Sequence, residues 1–174
     1  MRIKYSKLRE VKHPEKGTSL SAGLDLFIPA FNDSFIKDFE LKNTNDKDKI
    51  LLRRNKHEIL IYPHQSICIP SGLCFEMDSS VFLMLANRSS VSFKKHLAKL
   101  AEIIDSDYQG EVHIVLHNYS NEIISIKENE KIAQLVVMKN YMVQFVNTNI
   151  TDMYCKQSER GKGGFGSTNK FRGE

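Results

Sequence analysis

The stretch EVHIVLHN, residues 111–118, carries an apolar side chain at every second position from Val112 to Leu116, with Val115 between the two histidines, and this pattern decides the fold class of the chain. Successive side chains of a β-strand point to opposite faces, so Val112, Ile114 and Leu116 share one face and both histidines lie on the other. This pattern is typical of a half-buried strand. Similar short β-rich runs follow one another at a spacing of roughly 8–12 residues, which favours an all-β sandwich or barrel. These further runs are 59–62, 66–69, 73–75, 81–85, 123–126, 132–138 and 142–146.

Length and composition are those of one globular domain. The chain has 174 residues, of which 41% are hydrophobic and 26% charged, and this excludes wholesale disorder, a coiled coil and a collagen-like chain. No apolar run approaches the roughly 18–20 residues of a membrane-spanning helix, and the N-terminus has no apolar signal region. Cys68, Cys74 and Cys155 show no framework spacing, which indicates reduced thiols. We therefore expect a cytoplasmic protein with no membrane partner; for a viral or eukaryotic source, a host nucleus is the alternative.

The charge balance points to a small anionic ligand. The net charge of +4 is mild, and the basic residues do not form the clustered face of a duplex-DNA binder, so no nucleic-acid partner is expected. His113 and His117 share a strand face, but no third ligand lies near them and no zinc spacing is matched. We therefore expect no zinc site.

Two segments differ from the β-rich body. Residues 32–56 are polar and of mixed charge, which predicts a surface insertion with few apolar groups for a core. Residues 157–174 hold five of the nine glycines, four of them within 161–166, and we expect them to form a flexible C-terminal arm. We thus expect one β-barrel domain over residues 1–156, with this insertion and this arm. Helix signals are weak, and residues 91–100 have room for one or two turns at most.

The arm contains the pattern Gly161-x-Gly163-x-x-Gly166, a formal match to a dinucleotide-binding fingerprint. That fingerprint needs a preceding strand and a following helix, and only eight residues follow the last glycine, so we reject it. One reading is a flexible terminus. The other reading is a mobile lid for a nucleoside triphosphate, because Arg160 can bind phosphate in a bidentate manner and Phe165 can stack on a base.

Three shorter motifs each allow a structural and a functional interpretation. Residues 103–111, IIDSDYQGE, form either an ordinary hairpin with solvated carboxylates or a hairpin that holds a carboxylate as a general base. Arg88-Ser89-Ser90 is either a capped turn or a phosphate-binding group. Asp25 lies between apolar residues, so it must be paired, hold a hydrogen-bond network or serve a metal.

In this order the motifs resemble the five motifs of the homotrimeric dUTP pyrophosphatases, the dUTPase family. The match extends from about Tyr5 to Thr168, and its third and fifth motifs are highly specific. The five motifs are AGLDL at 22–26, RSS at 88–90, IDSDYQGE at 104–111, KIAQLV at 131–136 and RGKGGFGST at 160–168.

The resemblance implies a distorted, jelly-roll-like β-barrel of the β-clip type, with a short helical turn only. It also implies a homotrimer with three active sites at subunit interfaces, each completed by the tail of another subunit. The reaction it implies is hydrolysis of dUTP to dUMP and pyrophosphate with Mg²⁺. A metal chelated by the triphosphate would offset about four negative charges, which fits the acidic residues of the motifs.

The resemblance also implies the roles of individual residues. Asp105 matches the base that activates the attacking water, and Tyr108 matches the residue that packs on the deoxyribose and excludes a 2′-hydroxyl. Asp25 and Gln134 match positions that hold metal-bound waters. The remaining substrate-binding positions are Arg88, Ser89 and Ser90 on the phosphates, Lys99, Ile103 and Ile104, and Arg160, Phe165, Gly166 and Ser167 in the tail.

Several departures from the family pattern concern the base. Glu102 stands where the family usually has glycine, Lys99 falls near a position that often holds a base-contacting asparagine, and Asn87 replaces a frequent proline. The alternatives therefore include the same chemistry on dCTP, dTTP or a 5-substituted dUTP. A deaminase of the dCTP type shares the barrel, and a non-enzymatic interaction role that uses the insertion is the alternative from another class.

Overall fold

The computed structural model describes residues 2–44, 50–53, 56–154, 156, 158–159 and 161–163. Short β-strands dominate these residues, together with two α-helices. The strands are β1 (Lys4–Lys7), β2 (Glu15–Lys16), β3 (Gly23–Phe27), β4 (Ile50–Arg53), β5 (Glu58–Ile61), β6 (Ser66–Pro70), β7 (Leu73–Glu76), β8 (Val81–Asn87), β9 (Leu97–Lys99), β10 (Ile103–Ile104), β11 (His113–Asn118), β12 (Ile124–Lys127) and β13 (Lys131–Lys139). The helices are α1 (Asp33–Lys42) and α2 (Ser89–Lys95).

The strands pair antiparallel in four small sheets. The largest has the order β10-β8-β13-β3-β2, and two three-stranded sheets have the orders β6-β11-β9 and β12-β5-β4. A two-stranded sheet joins β1 to β7. The predicted all-β class is therefore confirmed, and the middle of the chain shows why. In β11, Ile114 and Leu116 are fully buried, while the alternate residues His113 and His117 are only partly buried.

Helix α1 corrects the prediction of a polar surface insertion at 32–56. Phe35, Ile36 and Phe39 are at most 3% exposed and belong to the core. The side chain of Asn32 accepts a hydrogen bond from the Phe35 amide at 3.0 Å and caps the helix N-terminus. The composition of the segment is polar, but its apolar residues recur at the spacing that places them on one side of a helix. The average composition of the segment does not show this apolar side of the helix.

The C-terminal end of α1 is tied directly to a strand of the core. The side-chain nitrogen Nδ2 of Asn43 donates to the carbonyls of Phe39 and Cys68. The side-chain oxygen Oδ1 of Asn43 accepts from the Cys68 backbone N–H at 2.8 Å. Cys68 lies in β6, so one side chain joins the helix to the sheet. After residues 45–49, which lie outside the described residues, β4 pairs with β5. The prediction of few apolar groups for the core is therefore wrong for residues 33–42.

Two further local predictions need correction. The short helix expected within 91–100 is α2, which begins at Ser89 and ends at Lys95, before β9. Residues 142–146 were predicted as a strand, but they form none, and Phe145 is 93% exposed. An isolated β-rich run lacks partners for its backbone groups and does not form a stable strand. No described strand of this chain pairs with residues 142–146.

The chain divides into two units, Met1–Tyr141 and Met142–Glu174. The first unit contains all thirteen strands and both α-helices, and the described part of the second contains a short 3₁₀ turn at Ile150–Asp152. The division predicted at 156/157 stays a prediction. None of the helices in the described ranges is long and apolar enough to span a membrane.

Candidate active site

One group of predicted site residues meets at a small cavity of about 190 Å³ beside β10. The residues that line it are Ile103, Ile104, Asp105, Tyr108, Val112 and His113. Asp105 follows β10 directly and is exposed, and its carbonyl accepts a hydrogen bond from the Tyr108 N–H at 3.2 Å. The hairpin thus presents an ionisable carboxylate and an aromatic ring to the same cavity.

The ring of Tyr108 is held in place within its own hairpin. Its hydroxyl donates to the Glu111 carbonyl at 2.8 Å. A Cβ on Gly110 would lie 2.6 Å from the tyrosine oxygen, so only glycine allows the ring this close to the backbone. The close contact between the tyrosine and the turn therefore requires the glycine two positions after Tyr108.

A second group of predicted residues meets around Asp25, whose side chain is only 9% exposed. The Arg88 guanidinium donates through Nε to Oδ1 of Asp25 at 2.9 Å, and Nζ of Lys131 lies 3.2 Å from Oδ2. Lys131 also contacts Glu15 at 2.6 Å. Hydrogen bonds to Glu15 and then to Asp25 raise the pKa of Lys131 above its ordinary value. Asp25 is therefore a paired carboxylate that holds two cations at the end of β8.

The serines of the second motif lie next to this cluster. Ser89 and Ser90 are exposed in the first turn of α2. Arg88 immediately precedes them and is half-buried, with its Nη1 donating to the Lys131 carbonyl at 3.3 Å. The guanidinium and the two hydroxyls thus stand together just after the end of β8, a combination suited to an anionic ligand.

Asp25 and Gln134 were predicted to hold metal-bound waters, and the structure allows that arrangement to be tested. They are opposite each other in the β3–β13 ladder. Both carboxylate oxygens of Asp25 already contact cations, and Nε2 of Gln134 donates to the Asn87 carbonyl at 2.8 Å. A carboxylate or amide oxygen keeps a further lone pair, so each can still accept from a water. The donor set fits contact through metal-bound waters and does not favour direct coordination. In the described part of the chain, no three His, Cys, Asp or Glu side chains group as metal ligands.

The structure does not bring these two groups together within one chain. Ile104 in β10 is paired with Leu83 in β8, so Asp105 lies beside the start of β8, whereas Arg88 follows its end. Arg88 lies six positions after Phe82, the β8 residue next to Asp105, and six residue steps correspond to roughly 20 Å along a strand. The two groups therefore lie toward opposite ends of β8 and do not form one compact site on the same chain.

Lys99 lies near the second group, and its side chain is paired with Glu102, which stands where the family usually has glycine. The Lys99 N–H donates to the Asn87 side chain at 3.0 Å. Its ammonium group forms an ion pair with the Glu102 carboxylate, and the lysine side chain is only 9% exposed. The two residues that depart from the family pattern, Lys99 and Glu102, are therefore partners in one ion pair.

The predicted tail residues Arg160, Phe165, Gly166 and Ser167 lie outside the described residues. Conversely, sequence reasoning missed two residues at the hairpin. His113 was assigned to a strand face without a role, although it lines the cavity with Asp105. Arg9 belongs to no motif, and only the structure shows that its guanidinium contacts Glu111.

Comparison with known proteins gives the family of this chain. The dUTPase family model matches residues 52–169. A deoxyuridine 5′-triphosphate nucleotidohydrolase of Nautilia profundicola is 32% identical over 148 residues, covering 84% of this chain and 93% of the relative. A protein of the same description from Hydrogenovibrio crunogenus is 31% identical over 176 residues, covering 97% of both chains.

Solved structures give the fold. A variant of the dUTPase of Staphylococcus bacteriophage 80alpha, solved with dUpNHpp, superposes with a TM-score of 0.72 at 20% identity and covers 96% of this chain and 98% of that one. The EIAV dUTPase has a TM-score of 0.61 at 18% identity, covering 87% and 100%. The fold is therefore the jelly-roll-like barrel of the β-clip type, as predicted. The chain belongs to the dUTPase family.

Proposed function

We propose that this chain is a dUTP diphosphatase, which hydrolyses dUTP to dUMP and pyrophosphate. Membership of the dUTPase family supports this, as do relatives of nearly the same length that are described as deoxyuridine 5′-triphosphate nucleotidohydrolases. The observation that carries the proposal is the cavity beside β10, where Asp105 and Tyr108 stand together. A carboxylate and a ring at one small cavity suit a nucleotide whose sugar packs on the ring while a water is activated beside its phosphate.

Asp105 is the proposed general base. Its side chain is exposed at the cavity, so a water and a phosphate can approach it together. The carboxylate accepts a proton from the water as the water attacks the α-phosphorus, and pyrophosphate leaves. A positioned general base contributes typically about 10²–10⁴-fold. Positioning and stabilisation of negative charge must supply the rest of the rate.

The cluster around Asp25 is the proposed phosphate-binding half of the site. Asp25 holds Arg88 through Nε and so orients its guanidinium, while Ser89 and Ser90 offer hydroxyl donors. We propose that the substrate is the magnesium complex of dUTP, with Asp25 and Gln134 accepting from waters on that metal. The bound Mg²⁺ supplies charge neutralisation on the triphosphate. The residues of this chain orient the phosphates and fix the waters.

The protein is proposed to act as a homotrimer with sites between subunits. Two observations support this. Phe82, the β8 residue next to Asp105, lies roughly 20 Å along the strand from Arg88, so the base of one copy and the phosphate-binding group of another can meet at a boundary. Residues 142–154 also expose an unusual amount of apolar surface, with Met142 80% and Phe145 93% exposed. The tail, with Arg160 and Phe165, then covers the nucleotide bound at a neighbouring site.

The pair Lys99–Glu102 is the specific feature that bears on the choice of base. Lysine donates to a uracil O4, whereas glutamate accepts from a cytosine amino group or from the uracil N3–H. Because the two side chains are paired, we propose that both act on uracil together. Assays of pyrophosphate release from dUTP, dCTP and dTTP test this assignment, and faster release from dCTP would transfer the function to that nucleotide.

The substitution Asp105→Asn tests the proposed reaction. The amide cannot accept the proton of the water, so kcat should fall by about 10²–10⁴-fold, while binding of a non-hydrolysable dUTP analogue should persist. Asp107→Asn is the matched control, since Asp107 is an exposed carboxylate in the same hairpin that does not line the cavity. Normal turnover in the first variant and a large loss in the second would move the general base to Asp107.

A further inference from the structure

A buried ion cluster stands directly behind the hairpin of Asp105 and Tyr108. The side chain of Arg9 is only 5% exposed. Its Nε and Nη2 donate to the two carboxylate oxygens of Glu111 at 3.0 and 2.7 Å, and Nη2 also donates to Asp38 of α1 at 2.6 Å. Arg9 thus links three parts of the chain: the N-terminal segment, helix α1 and the end of the hairpin.

Glu111 connects Arg9 to the ring of Tyr108. Its carboxylate accepts from Arg9 and from the backbone N–H of Gly72 at 2.6 Å, so the residue is fixed from two sides. Its carbonyl oxygen is the acceptor of the Tyr108 hydroxyl. The position of the tyrosine ring at the cavity is therefore set by a residue whose side chain is clamped by Arg9.

The cluster is tightly packed, and its partners have few alternatives. Gly72 has a φ of +76°, and a Cβ there would lie 2.7 Å from Cγ of Arg9. Burial alone lowers the pKa of the Arg9 guanidinium, but hydrogen bonds to Glu111 and Asp38 outweigh it and raise the pKa above the ordinary value. Nη1 of Arg9 is buried and has no hydrogen-bond partner among the residues that the structure describes. Because the desolvation cost can exceed the attraction between the charges, such an ion pair need not add stability, although removal of one partner is costly.

We propose that Arg9 is a positioning residue that sets the placement of Tyr108 through Glu111, and that Asp38 makes α1 part of this support. The consequence is a role for Arg9 and α1 in discriminating deoxyribose from ribose. The inference rests on the role proposed above for Tyr108, which is to pack on the sugar and exclude a 2′-hydroxyl. Arginine suits the position because its planar fork fixes a carboxylate in two places, whereas a lysine ammonium fixes it only as a point charge.

The substitution Arg9→Lys tests the proposal because it keeps the charge and removes the fork. The measurement is the ratio of kcat/KM for dUTP to that for UTP, at a temperature where circular dichroism shows the variant to be folded. We expect the ratio to fall about tenfold, since a misplacement of about 1 Å can cost up to about 10²-fold. An unchanged ratio in a folded variant with a lowered melting temperature would leave Arg9 a merely structural role and overturn the proposal.

Asp38→Asn provides the second variant, because it leaves Arg9 and Glu111 in place. Because the Arg9–Asp38 ion pair is partly exposed, we expect its loss to lower the same dUTP/UTP ratio about two- to fivefold. Glu40→Gln is the matched control, since Glu40 is an exposed carboxylate of the same helix and should leave the ratio unchanged. Equal ratios in both helix variants would remove α1 from the proposal.

A double-mutant cycle separates this inference from the role of Tyr108 itself. Tyr108→Phe keeps the ring and removes the hydroxyl that donates to Glu111. If Arg9 acts through that contact, the effects of Arg9→Lys and Tyr108→Phe on the ratio are not additive. Additive effects would overturn the route through Glu111. If Tyr108→Ala leaves the dUTP/UTP ratio unchanged, the sugar-packing role of Tyr108 fails and this inference fails with it.

Discussion

Helix α1 and residues 142–154 behave in opposite ways. Residues 33–42 have a polar composition, yet Phe35 and Phe39 are at most 1% exposed and stack at 5.8 Å between ring centres. Residues 142–146 are β-rich and apolar, yet Val143 is 63% and Phe145 93% exposed. The apolar content of a segment therefore does not decide its burial; a complementary surface does. Helix α1 finds that surface on β6 of its own chain, and we propose that residues 142–154 find it on another copy.

The largest effect expected from this comparison is the loss of a core aromatic of α1. Phe39→Ala should lower the free energy of unfolding by about 3–5 kcal/mol, the usual range for a buried Phe→Ala change. Leu41→Ala on the same helix is the control, because Leu41 is 66% exposed and surface changes usually stay within about 0.5 kcal/mol. Urea unfolding followed by circular dichroism measures both. Similar small losses in the two variants would restore the prediction of a surface insertion with few apolar groups for the core.

The next effect concerns assembly. Phe145→Ser should leave the fold of residues 1–141 intact and weaken the association of subunits by about 2 kcal/mol, the value of burying one such side chain. That change raises the dissociation constant by about 30-fold. Analytical ultracentrifugation over a concentration series measures it, with Leu41→Ser as the control for an exposed apolar residue of α1. If both variants assemble like the unaltered chain, the exposed apolar surface of 142–154 does not form the subunit contact.

A smaller effect is expected at the start of α1. Asn32→Ala removes the side-chain acceptor of the Phe35 amide and should cost about 1 kcal/mol of stability. Ser34→Ala, an exposed change in the first turn, serves as the control. Chemical unfolding of both variants shows whether the cap matters. No difference between them would mean that packing of the aromatic residues alone holds the helix.

The smallest expected effect is on the pH dependence of stability, through His113, a cavity residue whose pKa is affected by α1. Burial, and then the charge of Lys42 at the end of α1, lower the pKa of His113 below its ordinary value of 6.5. The folded protein thus prefers neutral His113, so its stabilising contribution is present above pH 6.5 and is lost as pH falls through the lower folded pKa. His113→Gln should therefore flatten the dependence of unfolding free energy on pH in that window. A parallel curve for the variant would show that His113 does not contribute to it.

The fold class and the family could both be predicted from the sequence. Alternation in residues 111–118 is a local property, and β11 shows it directly. The motif around Asp105 and Tyr108 also lies in one short stretch, so the structure could bring these residues together without a distant partner. The predictions for residues 33–42 and 142–146 were wrong because they concern the surface against which a segment packs. A pattern within the segment does not contain that information.

The sequence by itself determined the alternating faces of the strands, the glycine that lets Tyr108 approach its turn and the order of the family motifs, because each depends on neighbours along the chain. Tertiary structure alone decided that Asp25 is paired with Arg88 and Lys131, and that Arg9 meets Glu111 across 102 residues. Charges that far apart in sequence become partners only when folding places them in one buried space. There the cost of leaving either charge unpaired selects the pairing.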